Sequence, residues 1–511
     1  MSNLLCDICN TMFKGPKLKQ SRSGGGVVII KHLKSLEQLQ SGIKAGCAVC
    51  AALGRRVASK SVQLETLSSF NSGYLIYDFG LPGHTTFLLT WEIDGQVETA
   101  GLGFGLLPLG AIIQHLCQPK SATFNSDAAI QLMRGWLGTC LDQHQKCTQC
   151  GKDSEQFQLP TRLLDAGVLG SKGCRLVLTN SDSVSGGYLT LSHSWGSSPF
   201  LQLKSETMSA LTAGIPTHEL PATFRDAVFI AHQLGIRCMW IDSLCIQQDS
   251  EEDWVREAPT MWHVYGFALI NIVAGHSEGP EDGLFPPRDI SSVESLIVKS
   301  KWDDQLKTNY LLWNKSALRD DFESTPLTQR GWVFQERLLA PRILQFGKMQ
   351  VYWRCSELFA TEAWPQGVHF ATGEALRFGT GLDALDKKAS MEIPPISKWP
   401  QVAVNTASEE PVAAWERLVA KYSNTKLTYG EDKLVALSGI AKLFQQMFKD
   451  RYLAGLWWSP FARLLCWRRD DHQDKEARVR PDYRAPSDAP HFALGGVLGR
   501  SSRRKCRTAR E

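Results

Sequence analysis

Three groups of residues in this chain have types and spacings suited to chemistry. The first sits at the ends of two apolar runs. Tyr188 to Leu191 leads into Ser192-His193-Ser194-Trp195-Gly196, and Met239-Trp240-Ile241 leads into Asp242-Ser243-Leu244-Cys245. Each run ends at a polar residue and is followed by a helical pattern. With Leu269 to Ala274 as a third apolar run, the rhythm is the βαβαβ of a parallel sheet. Ligands of such sheets bind beyond the carboxyl ends of the strands, where Ser192, His193 and Asp242 would lie. Asp242 could equally cap the turn after its strand. The second group is two CxxC pairs, Cys6/Cys9 and Cys47/Cys50. Each pair can aim two thiolates at one tetrahedral zinc ion, and His32 could replace one of them. Four buried, reduced thiols packing as small hydrophobes are the alternative. The third group is Arg330 to Arg337, where Trp332 and Glu336 are four residues apart and share a helical face. Arg330, Arg337 and Arg342 make a structural ion pair the competing role for Glu336.

Other chemistry is less well supplied. Cys140 and His144 share one face of a helix expected from Ile130 to Cys150, with Cys147 close by. That spacing permits metal binding and also describes an ordinary amphipathic helix. Cys245 stands in an apolar context that argues for an inert thiol. Gly196-Ser197-Ser198 is neither a GxGxxG nor a Walker loop, and the chain has no HExxH or GxSxG. Kinase-like and Rossmann dehydrogenase chemistry are therefore disfavoured.

Five motifs in order carry a resemblance to a known family. They are Leu191-Ser192-His193-Ser194-Trp195-Gly196, Leu220-Pro221-Ala222-Thr223, Trp240 to Asp249, Asp253-Trp254 with Glu257, and Arg330-Gly331-Trp332-Val333-Phe334-Gln335-Glu336-Arg337. Together they resemble the HET (heterokaryon incompatibility) domain of filamentous fungi, over roughly Leu159 to Phe346. A common family variant has Cys before Trp-Gly, where this chain has Ser194. The resemblance implies a flavodoxin-like, TIR-like parallel sheet with flanking helices. It also implies a role as an allorecognition and programmed cell death effector, acting in the cytoplasm through self-association or with another incompatibility protein. Enzymatic TIR domains place a glutamate four residues after a bulky residue and use it to cleave NAD at the nicotinamide–ribose bond. By that similarity Glu336 is the catalytic candidate. Ser192, Trp195, Gly196, Asp242 and Trp332 are the substrate-binding candidates. Asp242 would hold a ribose hydroxyl, and Ser192 with the amides near Gly196 would contact phosphate. A non-enzymatic scaffold acting by self-association is the alternative.

The whole chain sets the frame for these sites. Its 511 residues exceed one ordinary core. An apolar fraction of 43% with 21% charged residues describes a globular protein. A net charge of +4 over 56 basic and 52 acidic residues is too balanced to point to nucleic acid. No apolar run is long enough to span a membrane, and no secretory signal precedes the first motif. The expected divisions are a Cys-containing N-terminal region at 1–155, the HET-like part at 156–350, a mostly helical region at 351–490 and a basic tail at 491–511. The tail follows Ala485-Pro486-Ser487, where the family's usual tryptophans are missing.

Overall fold

The structure is a computed structural model that describes residues 5–14, 30–58, 69–78, 85–93, 96–108, 121, 123–148, 159–184, 186–288, 296–299, 309–367, 409–460 and 464. The Ser23 to Gly26 turn, the Ala485-Pro486-Ser487 element, the basic tail and most of the Gly-, Pro- and Ser-containing stretch from 365 to 410 lie outside the described residues.

Helix α1 (Asp7–Thr11) and strand β1 (Ile30–Lys31) come first. The apolar pattern from Leu36 to Leu53 predicts one helix. The structure has two, α2 (Leu36–Lys44) and α3 (Ala48–Ala58). The break falls at Gly46, whose φ of 76° is the left-handed backbone that only glycine adopts without strain. The second CxxC pair therefore stands at the start of a new helix and not midway along an old one. Strands β2 (Phe70–Asp78), β3 (Thr85–Ile93) and β4 (Gln96–Pro108) form an antiparallel meander. The helix expected from Ile130 to Cys150 is likewise two, α4 (Asp127–Asp142), capped by the Ser126 side chain, and α5 (Gln145–Thr148).

The next stretch builds the larger sheet. Its strands are β5 (Arg162–Asp165), β6 (Gly173–Leu178), β7 (Tyr188–Ser192) and, after α6 (Met208–Ala213), the short β8 (Ile215–Pro216). Helix α7 (Ala222–Leu234) crosses to β9 (Cys238–Ile241). Helices α8 (Asp242–Cys245), α9 (Glu251–Glu257) and α10 (Met261–Gly266) then lead to β10 (Ile270–Ala274). Two strands, β11 (Leu296–Lys299) and β12 (Asn309–Asn314), leave this sheet, β12 pairing with β4 and β11 with β12. After α11 (Lys315–Phe322) and α12 (Gly331–Leu339), the chain returns through β13 (Ile343–Phe346), β14 (Val351–Arg354) and β15 (Phe359–Thr361). Helices α13 (Glu409–Tyr422) and α14 (Asp432–Phe448) and a small hairpin follow.

The larger sheet has the order β15-β14-β13-β10-β7-β9-β5-β6-β8. The expectation of one parallel sheet needs correcting here, because only β13, β10, β7 and β9 run parallel. The flanking strands are antiparallel. Connection length explains the difference. A parallel crossover needs roughly a dozen residues or more, whereas residues 347–350 alone join β13 to β14. The four parallel strands are buried along their whole length, as expected where helices cover both faces. The smaller sheet, β1-β2-β3-β4-β12-β11, has its own core of Phe13, Leu39, Leu53, Trp91, Leu102 and Leu312. Among the described residues no helix is long and apolar enough to cross a membrane.

One buried ion pair ties two of the sequence motifs together. Arg162 of β5 donates from both terminal nitrogens to Asp253 of α9, at 2.9 and 2.5 Å, and to the Cys245 carbonyl at 2.7 Å. The Gln247 amide donates to the same carboxylate at 2.7 Å, and Arg256 pairs with it from the next turn of α9. Burial opposes ionisation of Asp253, but the Arg162 hydrogen bonds and the Gln247 amide outweigh it and keep the carboxyl below its ordinary value. Truncating one partner strands a buried charge, so Asp253→Ala should lower unfolding stability by about 3–5 kcal/mol. Urea denaturation of wild type and variant measures this, and a loss under about 1 kcal/mol would assign the pair no structural weight.

Candidate functional site

Strands β7 and β9 lie side by side, with Leu191 opposite Ile241. The next residues, Ser192 and Asp242, therefore leave adjacent strands at the same carboxyl edge. On the other side of β7, Val273 of β10 stands opposite Ser192. Taken in chain order as first to fourth, the parallel strands β7, β9, β10 and β13 are arranged second-first-third-fourth across the sheet. The direction of travel reverses between β7 and β10, the position at which open α/β sheets bind ligands.

Glu336 reaches this edge from α12. It is 5% exposed and accepts a very short hydrogen bond from the Ser192 hydroxyl. Ser192 in turn accepts from the Asn271 amide at 3.0 Å, and the Asn271 oxygen accepts from Thr190 at 3.1 Å. The Tyr265 hydroxyl also bonds to the Glu336 carboxyl. Burial pushes the Glu336 carboxyl up to about 7, and the Asp242 charge adds to the rise. The Ser192 and Tyr265 hydrogen bonds and the Arg330 charge pull the other way without cancelling it. Among the described residues Glu336 has no ion pair with an arginine. Arg337 turns to the Phe322 carbonyl at 3.1 Å, and Arg330 donates to the His193 carbonyl at 2.7 Å.

Asp242 is the more accessible carboxylate, its side chain 22% exposed. It accepts from the Trp195 indole at 3.0 Å and from the Ser243 amide at 2.7 Å. His193 Nδ1 lies 3.6 Å away. Burial lowers the His193 pKa, and its ring packs edge-on against Phe224 and Phe200, so it is neutral at neutral pH. Trp195 thus orients Asp242. Gly196 has a φ of 65°, and a Cβ there would come within 3.1 Å of the Gly279 Cα, which accounts for glycine after the tryptophan. Cys245 is buried, and its thiol is pushed up to about 12 by that burial.

Trp332 goes elsewhere. Its indole donates to Asp432 of α14 at 3.1 Å. Helical side chains lean toward the N-terminus of their helix, so the four-residue spacing puts Trp332 and Glu336 on one face without giving them one neighbourhood. The sequence reading missed Tyr265, Asn271 and Arg330 as members of the site. The only sequence signal for Asn271 is a polar residue within the apolar run Ile270 to Ala274.

The N-terminal cysteines form a separate centre. The sulfurs of Cys6, Cys9, Cys47 and Cys50 all lie within 4.8 Å of one another, with Cys6–Cys50 at 3.8 Å and Cys9–Cys50 at 3.5 Å. Tetrahedral zinc with Zn–S bonds of ~2.3 Å sets its sulfurs about 3.8 Å apart, so this set could hold a metal ion such as zinc. His32 Nε2 is 3.4 Å from Cys9 Sγ, and Nδ1 is 3.2 Å from the Ser72 hydroxyl. That arrangement makes His32 a neighbour of the cluster, oriented by Ser72. Hydrogen bonds from Cys50 and then Cys9 hold the Cys47 thiol far below its ordinary value.

The raised pKa of Glu336 has a signed consequence for stability. A carboxyl whose folded pKa is about 7, against an ordinary 4.5, binds its proton more tightly when folded. Its contribution is complete below the unfolded value and fades as pH climbs through about 7, by about 3 kcal/mol in all. Glu336→Gln should remove that part of the pH dependence. Urea midpoints for both proteins from pH 4.5 to 8 provide the comparison. Parallel curves would mean that Glu336 does not hold its proton in the folded protein.

Comparison with curated proteins and with solved structures gives no match. Comparison with family models does. Residues 188–336, running from the first residue of β7 to the buried glutamate of α12, match the family described as Heterokaryon incompatibility protein (HET), and that part of the chain is a HET domain.

Proposed function

We propose that the chain is an effector of heterokaryon incompatibility in a filamentous fungus, and that its HET domain cleaves NAD between nicotinamide and ribose. The family match suggests the role in incompatibility and cell death. The reaction rests on one observation. A carboxyl poised to titrate near neutral pH, Glu336, is held by Ser192 and Tyr265 next to Asp242, at the edge where the strand order reverses. The order second-first-third-fourth is that of flavodoxin-type sheets, the arrangement expected of a TIR-like domain.

In this reading the bond from the ribose carbon to the nicotinamide nitrogen breaks and its electron pair leaves with neutral nicotinamide. The ribose acquires oxocarbenium character, which the Asp242 and Glu336 carboxylates stabilise. Water adds to that carbon and gives its proton to Glu336, whose pKa suits it to receive one. Asp242, held by Trp195 and the Ser243 amide, orients a ribose hydroxyl. The zinc reading of Cys6, Cys9, Cys47 and Cys50 is structural and takes no part in this step.

A specific observation favours a second reading. Glu336 is 5% exposed and already engaged by Ser192 and Tyr265, as a purely structural carboxyl would be. The HET domain would then signal as a scaffold, by associating with copies of itself or with another incompatibility protein in the cytoplasm.

NAD hydrolysis by the purified chain at several concentrations, alongside Glu336→Gln and Asp242→Asn, separates the readings. Catalysis predicts that Glu336→Gln lowers turnover at least about 100-fold with little loss of melting temperature. Undetectable cleavage by wild type at every concentration, with cell death retained in Glu336→Gln, would leave the scaffold.

A further inference from the structure

A second group of metal-ligating side chains lies far from the strand ends. The ligand atoms of Cys140, His144, Cys147 and Cys355 all fall within 4.8 Å of one another. Cys140 is on α4, His144 immediately precedes α5, Cys147 is on α5, and Cys355 follows β14, so the fourth member is distant in sequence. Cys140 and Cys147 are buried, and Cys355 Sγ lies 3.3 Å from His144 Nδ1. These separations suit one tetrahedral ion. They are too close for the cysteines around an iron–sulfur cluster, and a disulfide would use only two of the four groups.

A further observation indicates that these sulfurs carry negative charge. Arg342, 3% exposed, donates from Nε to Cys140 Sγ at 3.1 Å. Its other partners are the Leu269 and Cys147 carbonyls, at 3.2 and 3.0 Å. Among the described residues no carboxylate pairs with it. A buried guanidinium needs an anion nearby, and neutral thiols do not supply one. Three thiolates, one neutral imidazole and Zn²⁺ sum to a charge of −1, which Arg342 neutralises.

We propose that Cys140, His144, Cys147 and Cys355 hold one zinc ion, with Arg342 as the buried counter-cation outside the ligand shell, and that this ion fastens α4 and α5 to the β14–β15 edge of the HET sheet. Contacts around it run the same way. The Lys146 amide donates to Glu357 at 2.5 Å, Trp136 stacks on Trp353, and the Trp136 indole donates to the Pro365 carbonyl at 2.7 Å. Zinc, with no redox chemistry and a preference for sulfur and nitrogen donors, is the metal such a closed set selects.

Metal content of the full-length chain purified with zinc present tests the proposal. Cys355→Ser should contain about one zinc ion fewer than wild type. Cys9→Ser, which alters only the N-terminal cysteines, should keep the ion in question. Equal zinc in wild type and Cys355→Ser would overturn the proposal, as would iron in place of zinc. If Cys355→Ser fails to fold, the cobalt-loaded double variant Cys9→Ser/Cys47→Ser decides, because its N-terminal group keeps only two sulfurs. A tetrahedral spectrum with three sulfurs and one nitrogen supports the site, and a colourless protein overturns it. Neither arm depends on NAD cleavage, so this test and the test of catalysis fail independently.

Discussion

A carboxyl group taken out of water must be hydrogen-bonded or protonated, and around Glu336 both conditions shape the chain. Its neighbours form a continuous set, with Thr190 to Asn271, Asn271 to Ser192, and Ser192 and Tyr265 to the carboxyl. Each is polar in otherwise apolar surroundings, and each would be costly to bury alone, by about 1–3 kcal/mol for an unpaired group. Polar residues within β7 and β10 are therefore explained by the helix that packs over them. The HET motifs at residues 192 and 336, distant in sequence, are two ends of one hydrogen bond.

The other motifs divide between orientation and scaffold. Trp195 aims Asp242, and Gly196 lets the Gly279 backbone approach. Asp253 anchors α9 to β5 through Arg162. Arg330 stands at the start of α12 and grips the His193 carbonyl, joining the helix to the strand end that its own glutamate faces. Most of the family's wording in this chain thus describes how a small charged centre is held at the sheet edge, and only a few residues touch that centre directly.

The strand-and-helix alternation from Tyr188 to Phe346 was legible because buried parallel strands read as unbroken apolar runs with polar ends. Most of the antiparallel additions were not, because β5, β6 and β15 are short and carry no pattern that fixes their partners. Helix breaks at Gly46 and near His144 escaped the apolar periodicity, which continues across both. Ser192 and Asp242 could be named in advance because each ends or follows an apolar strand, and Glu336 because its block resembles the one that carries the glutamate of enzymatic TIR domains. Tyr265 and Asn271 could not, since their importance arises only when α10 and β10 are packed against α12. Trp332 shows the limit of spacing as a guide, because a shared helical face does not specify which neighbour a long side chain meets. Cys355 joins Cys140 across most of the HET domain, a proximity that no local pattern encodes.

The route taken by β11 and β12 has a consequence for how the chain is made. Strand β4 pairs with β12, Leu312 opposite Leu106, and the Gly103 amide donates to the Ser316 hydroxyl across 213 residues. During synthesis the N-terminal meander emerges first, with one edge open. The strand that closes it is delivered only after β7, β9 and β10 have left the ribosome. Until then, the open edge is a template for wrong pairing, and the two sheets reach their final form together. Ribosome-associated chaperones would meet this protein as a long-lived nascent chain, its first-made sheet waiting on a strand translated some two hundred residues later.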